Sequence, residues 1–339
     1  MSNGTNSSLE QVLEDNRDKV EAILVLIIGV LSMIFNGSLL ISMTVNPKLV
    51  FVSLGSYFIY NLGIADFITG INSIVYAINT LHPTELFDND IKTGLLIIFW
   101  ITIEVSFFTI FIMSTERLVA IVFPFKTALL LSKKRTIIYC VVVWIVSITF
   151  GIPMYMNNFI NYVQLLLTVI FEIIVVAIVV EYIILFRHLR VLWENSKSRA
   201  VFNDSSNIEK GLVNKSKITE LQREYEVTII VVTLAVIIAI TVFPYMIVLQ
   251  VVLSYHLQGA TLPSNHPANL FRRYYFPIEL LNFVVNPIVY GWRLPKYRQA
   301  FLRTFCFGKK RAKNGNSYSS PKTLCSNCPS DYKEMSQIK

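Results

Sequence analysis

Seven stretches of this chain carry apolar residues for the roughly 20 positions that a helix needs to cross a hydrocarbon layer of about 30 Å. They are Ala22–Val45, Phe51–Leu81, Thr93–Val122, Thr136–Met156, Tyr162–Leu189, Val227–Tyr255 and Tyr274–Trp292, each rich in Ile, Val, Leu and Phe. In hydrocarbon an unpaired backbone amide costs several kcal/mol, so each stretch is expected to be a helix. Short polar connections separate them, with one longer polar segment at Glu194–Glu226. The pattern predicts an all-α membrane protein built as a seven-transmembrane helix bundle.

Composition agrees with this pattern. A length of 339 residues would suit about two soluble domains. Yet only 15% of the residues are charged, against roughly 25% in soluble proteins. The net charge of +8 would suggest nucleic acid on a soluble surface, but its placement points elsewhere. With the N-terminus outside, the outer segments hold Arg17, Lys19, Lys92, Arg272 and Arg273, five of the 30 basic residues. The remainder, including Lys133-Lys134-Arg135 and Lys309-Lys310-Arg311, fall inside. This bias sets the orientation and supplies contact with lipid headgroups. A plasma-membrane, multi-pass protein with an extracellular N-terminus is expected, with no nucleic-acid partner. Residues 1–21 form the outer tail, 22–292 the bundle, 293–306 a juxtamembrane helix and 307–339 a disordered cytoplasmic tail. No apolar signal-peptide core precedes the first span. Asn3 and Asn6 begin glycosylation acceptor motifs on the outer side.

Polar side chains inside a span are costly and tend to mark function. Span 1 holds Asn36-Gly37, and span 2 holds Asn61-Leu62-Gly63-Ile64-Ala65-Asp66. Span 3 ends in Glu116-Arg117-Leu118, with Pro124 seven residues beyond the arginine. Span 4 carries Trp144, span 5 Tyr182, span 6 Phe243-Pro244-Tyr245, and span 7 Asn282 followed by Asn286-Pro287-Ile288-Val289-Tyr290. Taken in order, these residues resemble the rhodopsin-like (class A) G-protein-coupled receptors from about Ala22 to Cys306.

That resemblance implies a receptor that binds an extracellular ligand and activates heterotrimeric G proteins by outward movement of helix 6. It also implies roles for individual residues. Arg117, beside Glu116, matches the position that Glu224 clasps in the resting state; the alternative is an arginine snorkelling to headgroups and a glutamate on a solvated face. Asp66, Ser106, Asn282 and Asn286 match positions that gather round a sodium ion, and oxygen ligands suit a hard cation. A protonated Asp66 bonded to the same groups is the other reading. Pro244 and Pro287 each remove a helical hydrogen bond and can serve as hinges. Tyr182 and Tyr290 match a water-bridged pair of the active state, or are interfacial tyrosines.

Several features depart from the family pattern. No cysteine stands near Asp90-Ile91-Lys92-Thr93 or in the connection Asn157–Asn161, so the usual outer disulfide cannot form. Of the four cysteines, Cys140 lies in span 4 and Cys306, Cys325 and Cys328 lie in the last 34 residues. Ile174 replaces the usual span 5 proline, and Val242 the usual span 6 tryptophan. These departures are similar to those of the melanocortin and cannabinoid receptors. Phe99 stands where amine receptors carry an aspartate, and Leu280 where opsins carry a lysine. Phe99, Trp100, Glu104, Glu172 and Glu279 remain as ligand-pocket candidates, each with a packing role as its alternative. Three glutamates near one cavity would favour a cationic ligand or basic peptide.

Beyond span 7, Tyr297, Phe301 and Phe305 recur at helical spacing among Lys296, Arg298 and Arg303. This predicts a short amphipathic eighth helix on the inner membrane surface. Cys306, which follows it, is either a palmitoylation site or a free thiol. Serines in the tail could be phosphorylated and recruit arrestin. No resident cofactor is expected besides the sodium ion. The rival classes are an intramembrane hydrolase or other seven-span enzyme, and a transporter. The four histidines, His82, His188, His256 and His266, are scattered over loops and ends, and no internal repeat is evident. A receptor without catalytic activity is therefore expected.

Overall fold

The computed structural model describes residues 3–83, 88–123, 127, 131–155, 159–203, 228–229, 232–263 and 265–306. The long helices are α1 (Asn3–Val45), α2 (Gly55–Leu81), α3 (Asn89–Val122), α4 (Lys133–Gly151), α5 (Ile160–Asn203), α6 (Val232–Leu257) and α7 (Pro267–Arg293). A one-turn helix, Pro47–Val50, links α1 to α2, and a 3-10 turn, Ile152–Tyr155, ends α4. Short helix α8 (Pro295–Phe301) follows α7 and closes in a π-type turn, Leu302–Cys306. Several helices overrun their predicted spans: α1 extends back to Asn3 and α5 forward to Asn203. Hydropathy registers only the part of a helix matched to hydrocarbon, whereas backbone hydrogen bonding continues into the polar flanks.

Local signals set the helix starts. The Asp88 carboxylate accepts from Ile91 N at 2.9 Å at the start of α3, and the Ser132 hydroxyl accepts from Arg135 N at the start of α4. At the head of α7 the His266 ring accepts from Ala268 N. Each side chain satisfies one of the backbone donors that a helix start leaves open.

Six helices form a closed ring in the order α1, α2, α3, α5, α6, α7, and α4 leans on the outside of α2 and α3. Their outer faces are apolar and uncovered: Ile173, Val176, Val180 and Ile183 on α5 are all about half exposed or more. Such faces require lipid. Six of the helices are long and apolar enough to cross a membrane. The helix α7 has the length, but Arg272, Arg273, Glu279, Asn282 and Asn286 lower its apolarity. The last three are buried in the bundle, where lipid does not meet them.

α1 and α2 approach closely through glycine. A methyl group on Gly70 would lie 2.9 Å from Met33 N and 3.0 Å from Gly29 O, both backbone atoms that cannot step aside. Small residues at a crossing substitute close van der Waals packing for the hydrophobic drive that lipid removes.

Three prolines interrupt the ring's hydrogen bonding, Pro244 in α6 and Pro277 and Pro287 in α7, and two of the carbonyls they leave open find donors on a neighbouring helix. Pro287, lacking an N–H, leaves the Phe283 carbonyl on α7 without its helical donor. The buried Asn36 amide on α1 fills that vacancy, donating to Phe283 O at 2.9 Å. Pro244 leaves the Ile240 carbonyl open in the same way, and α6 breaks its regular geometry at Val242. The Tyr275 hydroxyl on α7 donates to Ile240 O at 2.6 Å. The carbonyls left open by Pro287 and Pro244 are thus each stitched to a neighbouring helix.

Candidate functional site

At the end of the bundle where α1 begins, a cavity of about 480 Å³ opens between α1, α2, α3, α6 and α7. The rim carries Asp18 and Glu21 of α1 with Arg272 and Arg273 of α7. Arg273 pairs with Asp18 at 3.0 Å and approaches Glu21 at 3.9 Å, tying α7 to α1. Tyr76 of α2 also donates to Glu21 at 3.3 Å. Below them Phe276 is the hub of an aromatic cluster, with ring centroids of Phe99, Tyr76 and Tyr245 at 5.7, 6.0 and 6.1 Å. Glu279 also lines the cavity, yet is only 1% exposed.

Of the predicted pocket residues, Phe99, Trp100 and Glu279 line this cavity. Glu104 lines a separate cavity of about 20 Å³, together with Trp100 and a set of apolar residues from α3, α5 and α6. Among the described residues, both oxygens of its carboxyl group lack a hydrogen-bond partner. Glu172 lies half-buried on α5 and lines neither.

Midway through the bundle lies a buried polar layer. Asp66 is wholly buried on α2 and accepts from Ser106 Oγ of α3 at 3.1 Å and from Asn286 Nδ2 of α7 at 2.7 Å. Three helices therefore meet at one carboxyl group. Asn282 is also wholly buried, and among the described residues neither its amide atoms nor Asn286 Oδ1 has a partner. Beside this layer, Trp144 Nε1 of α4 donates to Asn61 Oδ1 at 2.9 Å, and Asn61 donates to Thr109 of α3 at 2.8 Å.

At the opposite end, Arg117 donates to Glu116 through Nε and Nη2, one edge of its guanidinium, with Nε at 2.6 Å from Oε2. The pair is 12% and 4% exposed, a bidentate charge pair at a mostly dry helix end. Glu224 and Pro124 lie outside the described residues, so the clasp itself is not described. Tyr182 and Tyr290 are both buried, and the hydroxyl of each lacks a partner among the described residues. Nearby, Thr115 donates to Glu181 at 2.7 Å and joins α3 to α5.

The family model described as 7 transmembrane receptor (rhodopsin family) matches residues 35–290, from Asn36's neighbour in α1 through Tyr290 in α7. The chain belongs to that family. No curated protein matches it individually. The family match extends no further than the family, so the similarity to melanocortin and cannabinoid receptors gains no support from it.

Within this receptor, Tyr76, Tyr245, Phe276, Arg272 and Arg273 are cavity residues that the spacing of the spans did not single out. For Phe276 the available signal was helical phase, since it and Glu279 are three apart on α7; Tyr76 and Tyr245 lie on other helices and carried no such signal. The α8 aromatics also divide. Tyr297 is 2% exposed and donates to Ser56 of α2 at 3.0 Å, while Phe301 and Phe305 stay exposed with tilted rings whose centroids are 4.8 Å apart. Burial pushes the Tyr297 phenol above its ordinary value, which keeps it a neutral donor. Lys296 donates to Ser53 and Ser56 at 2.6 and 2.7 Å, anchoring α8 to the α1–α2 connection. Cys306 ends the following turn, while residues 307–339 lie outside the described residues.

Proposed function

We propose that this receptor binds an extracellular ligand in the α1–α7 cavity and activates heterotrimeric G proteins at the end that carries Arg117. The observation that carries the reading is the buried Glu116–Arg117 pair at the end of the bundle opposite the cavity, with one polar layer centred on Asp66 between them. An agonist that binds the arrangement with α6 swung outward more tightly than the closed one shifts the population toward it. Pro244 is the bend in α6, and Pro287 the bend in α7 below Asn282 and Asn286. Tyr182 and Tyr290, with partnerless buried hydroxyls, are available to meet through water when α6 has moved. Release of Glu224 from Arg117 would accompany that movement. The reading assigns the chain no catalytic step.

The donors around Asp66 suit a sodium ion: one carboxylate, the Ser106 hydroxyl and the unpartnered amide oxygens of Asn282 and Asn286 are hard oxygen ligands. A bound ion would supply positive charge to a buried carboxylate that the described side chains leave unneutralised. The Lys and Arg bias supports a plasma-membrane receptor with its N-terminus outside and α7 as the seventh span. On that orientation Asn3 and Asn6 are glycosylation sites, Cys306 is placed for palmitoylation beside α8, and the tail 307–339 is the segment that arrestin would engage. Replacing Glu224 with Gln is expected to raise ligand-independent signalling a few-fold at matched surface expression, because one anion holding Arg117 is lost. Equal basal signalling in the two proteins would count against the clasp.

A further inference from the structure

The cavity between α1 and α7 contains a carboxyl group whose electrostatic demand is unmet. Glu279 is 1% exposed, its Oε2 has no hydrogen-bond partner among the described residues, and it lines the cavity. Leaving a buried carboxylate unpaired is expensive, and a cation is the partner that offsets the most. The surroundings suit such a guest. Phe99, Tyr76 and Tyr245 reach Phe276 from three other helices, and aromatic faces attract ammonium and guanidinium groups. Phe276 lies one turn from Glu279 on the same helix, so the rings and the carboxyl belong to one compartment.

The rim decides what else such a guest can carry. Its two acids, Asp18 and Glu21, are engaged by Arg273 and Tyr76. Lys92 and Arg272 also line the cavity, and neither has an ion-pair partner among the described residues. A polycation would meet these positive charges above the one acid it could reach. A single cation on an apolar stem, neutral or acidic at its outer end, meets no such penalty. A cavity of about 480 Å³ falls in the usual range for small-molecule sites.

We infer that the α1–α7 cavity is a site for a small organic monocation, a primary amine or guanidine on an apolar stem, whose charge pairs with Glu279 within the Phe99, Tyr76, Tyr245 and Phe276 rings. This deepens the receptor reading by naming the ligand class, and it excludes the polybasic peptide that three glutamates in one cavity would have favoured.

The full chain in lipid nanodiscs, without G protein, supplies the test. Its unfolding midpoint is measured with benzylamine, 2-phenylethylamine and 2-phenylethylguanidine, and with the uncharged isostere 2-phenylethanol and the anion 3-phenylpropanoate. At least one cation is expected to raise the midpoint by roughly 2 °C or more at saturation, with neither control doing so. Glu279→Gln should abolish the shift, and Glu279→Asp should retain part of it. Equal shifts from the alcohol or the anion, no shift from any of the cations, or an undiminished shift in Glu279→Gln would overturn the inference. The analogue comparison on the parent chain stands even if the variants fold poorly. Because binding is read without a G protein, failure here is separate from failure of G-protein activation.

Discussion

The Asn36 amide and the Phe283 carbonyl allow a sharp test of how the α7 bend is held. Pro287 deprives Phe283 O of its helical donor, and Asn36 Nδ2 supplies one at 2.9 Å from α1, between residues that are 0% and 1% exposed. Asn36→Ala removes that donor. A buried acceptor left unpaired costs about 1–3 kcal/mol, and hydrogen bonds between membrane helices average about 0.6 kcal/mol with a maximum near 1.7. A loss of about 2 kcal/mol is expected, roughly a 30-fold larger unfolded population under the same conditions. Pro287→Ala restores the N–H that refills Phe283 O, so in that background Asn36→Ala should cost only about 0.5 kcal/mol, the remainder being lost packing and the Asn36 bonds to Ser32. Reversible unfolding by sodium dodecyl sulfate in mixed micelles, followed by circular dichroism, measures all four corners of the cycle. A coupling below about 0.3 kcal/mol would refute the assignment of Asn36 as the substitute donor.

Two further tests address the packing and the polar layer. Gly70→Ala sets a methyl group 2.9 Å from Met33 N and should destabilise the bundle by about 1–3 kcal/mol. Gly94→Ala, with nothing within 4 Å of the added carbon, should change stability by no more than about 0.5 kcal/mol; comparable losses in both variants would argue against close α1–α2 contact. The parent should unfold later in sodium than in potassium chloride at equal ionic strength, by about 1 kcal/mol once sodium is several-fold above its dissociation constant. Asp66→Asn should remove that difference, and a parent indifferent to the two salts would leave a protonated Asp66 as the reading of the site.

The spans were legible because a helix in lipid must be apolar over a fixed length, a constraint that sequence displays directly. The polar exceptions were legible too: Asp66, Ser106 and Asn286 stood out by cost and the structure brings them together. Rotation about each helix axis was not legible. Glu104, Glu172 and Glu279 look alike as mid-span acids, yet they separate into a small apolar cavity, a half-buried position on α5 and the main cavity. The seventh helix also hid part of its character, since buried polar residues lower its hydropathy without exposing it to lipid. Pro244 and Pro287 announced two open carbonyls, but only the packing of helices reveals that Tyr275 and Asn36 close them.

Receptor action is tested most directly by nucleotide exchange on purified heterotrimeric G proteins, using the chain reconstituted in vesicles with and without the amine probes. The parent is expected to accelerate exchange on at least one of a panel of heterotrimers, and Arg117→Ala to return it to the rate of vesicles lacking the receptor, since Arg117 lies at the end of α3 proposed to face the G protein. A parent that leaves every heterotrimer at its intrinsic rate under all these conditions, or an Arg117→Ala variant as active as the parent, would contradict the mechanism.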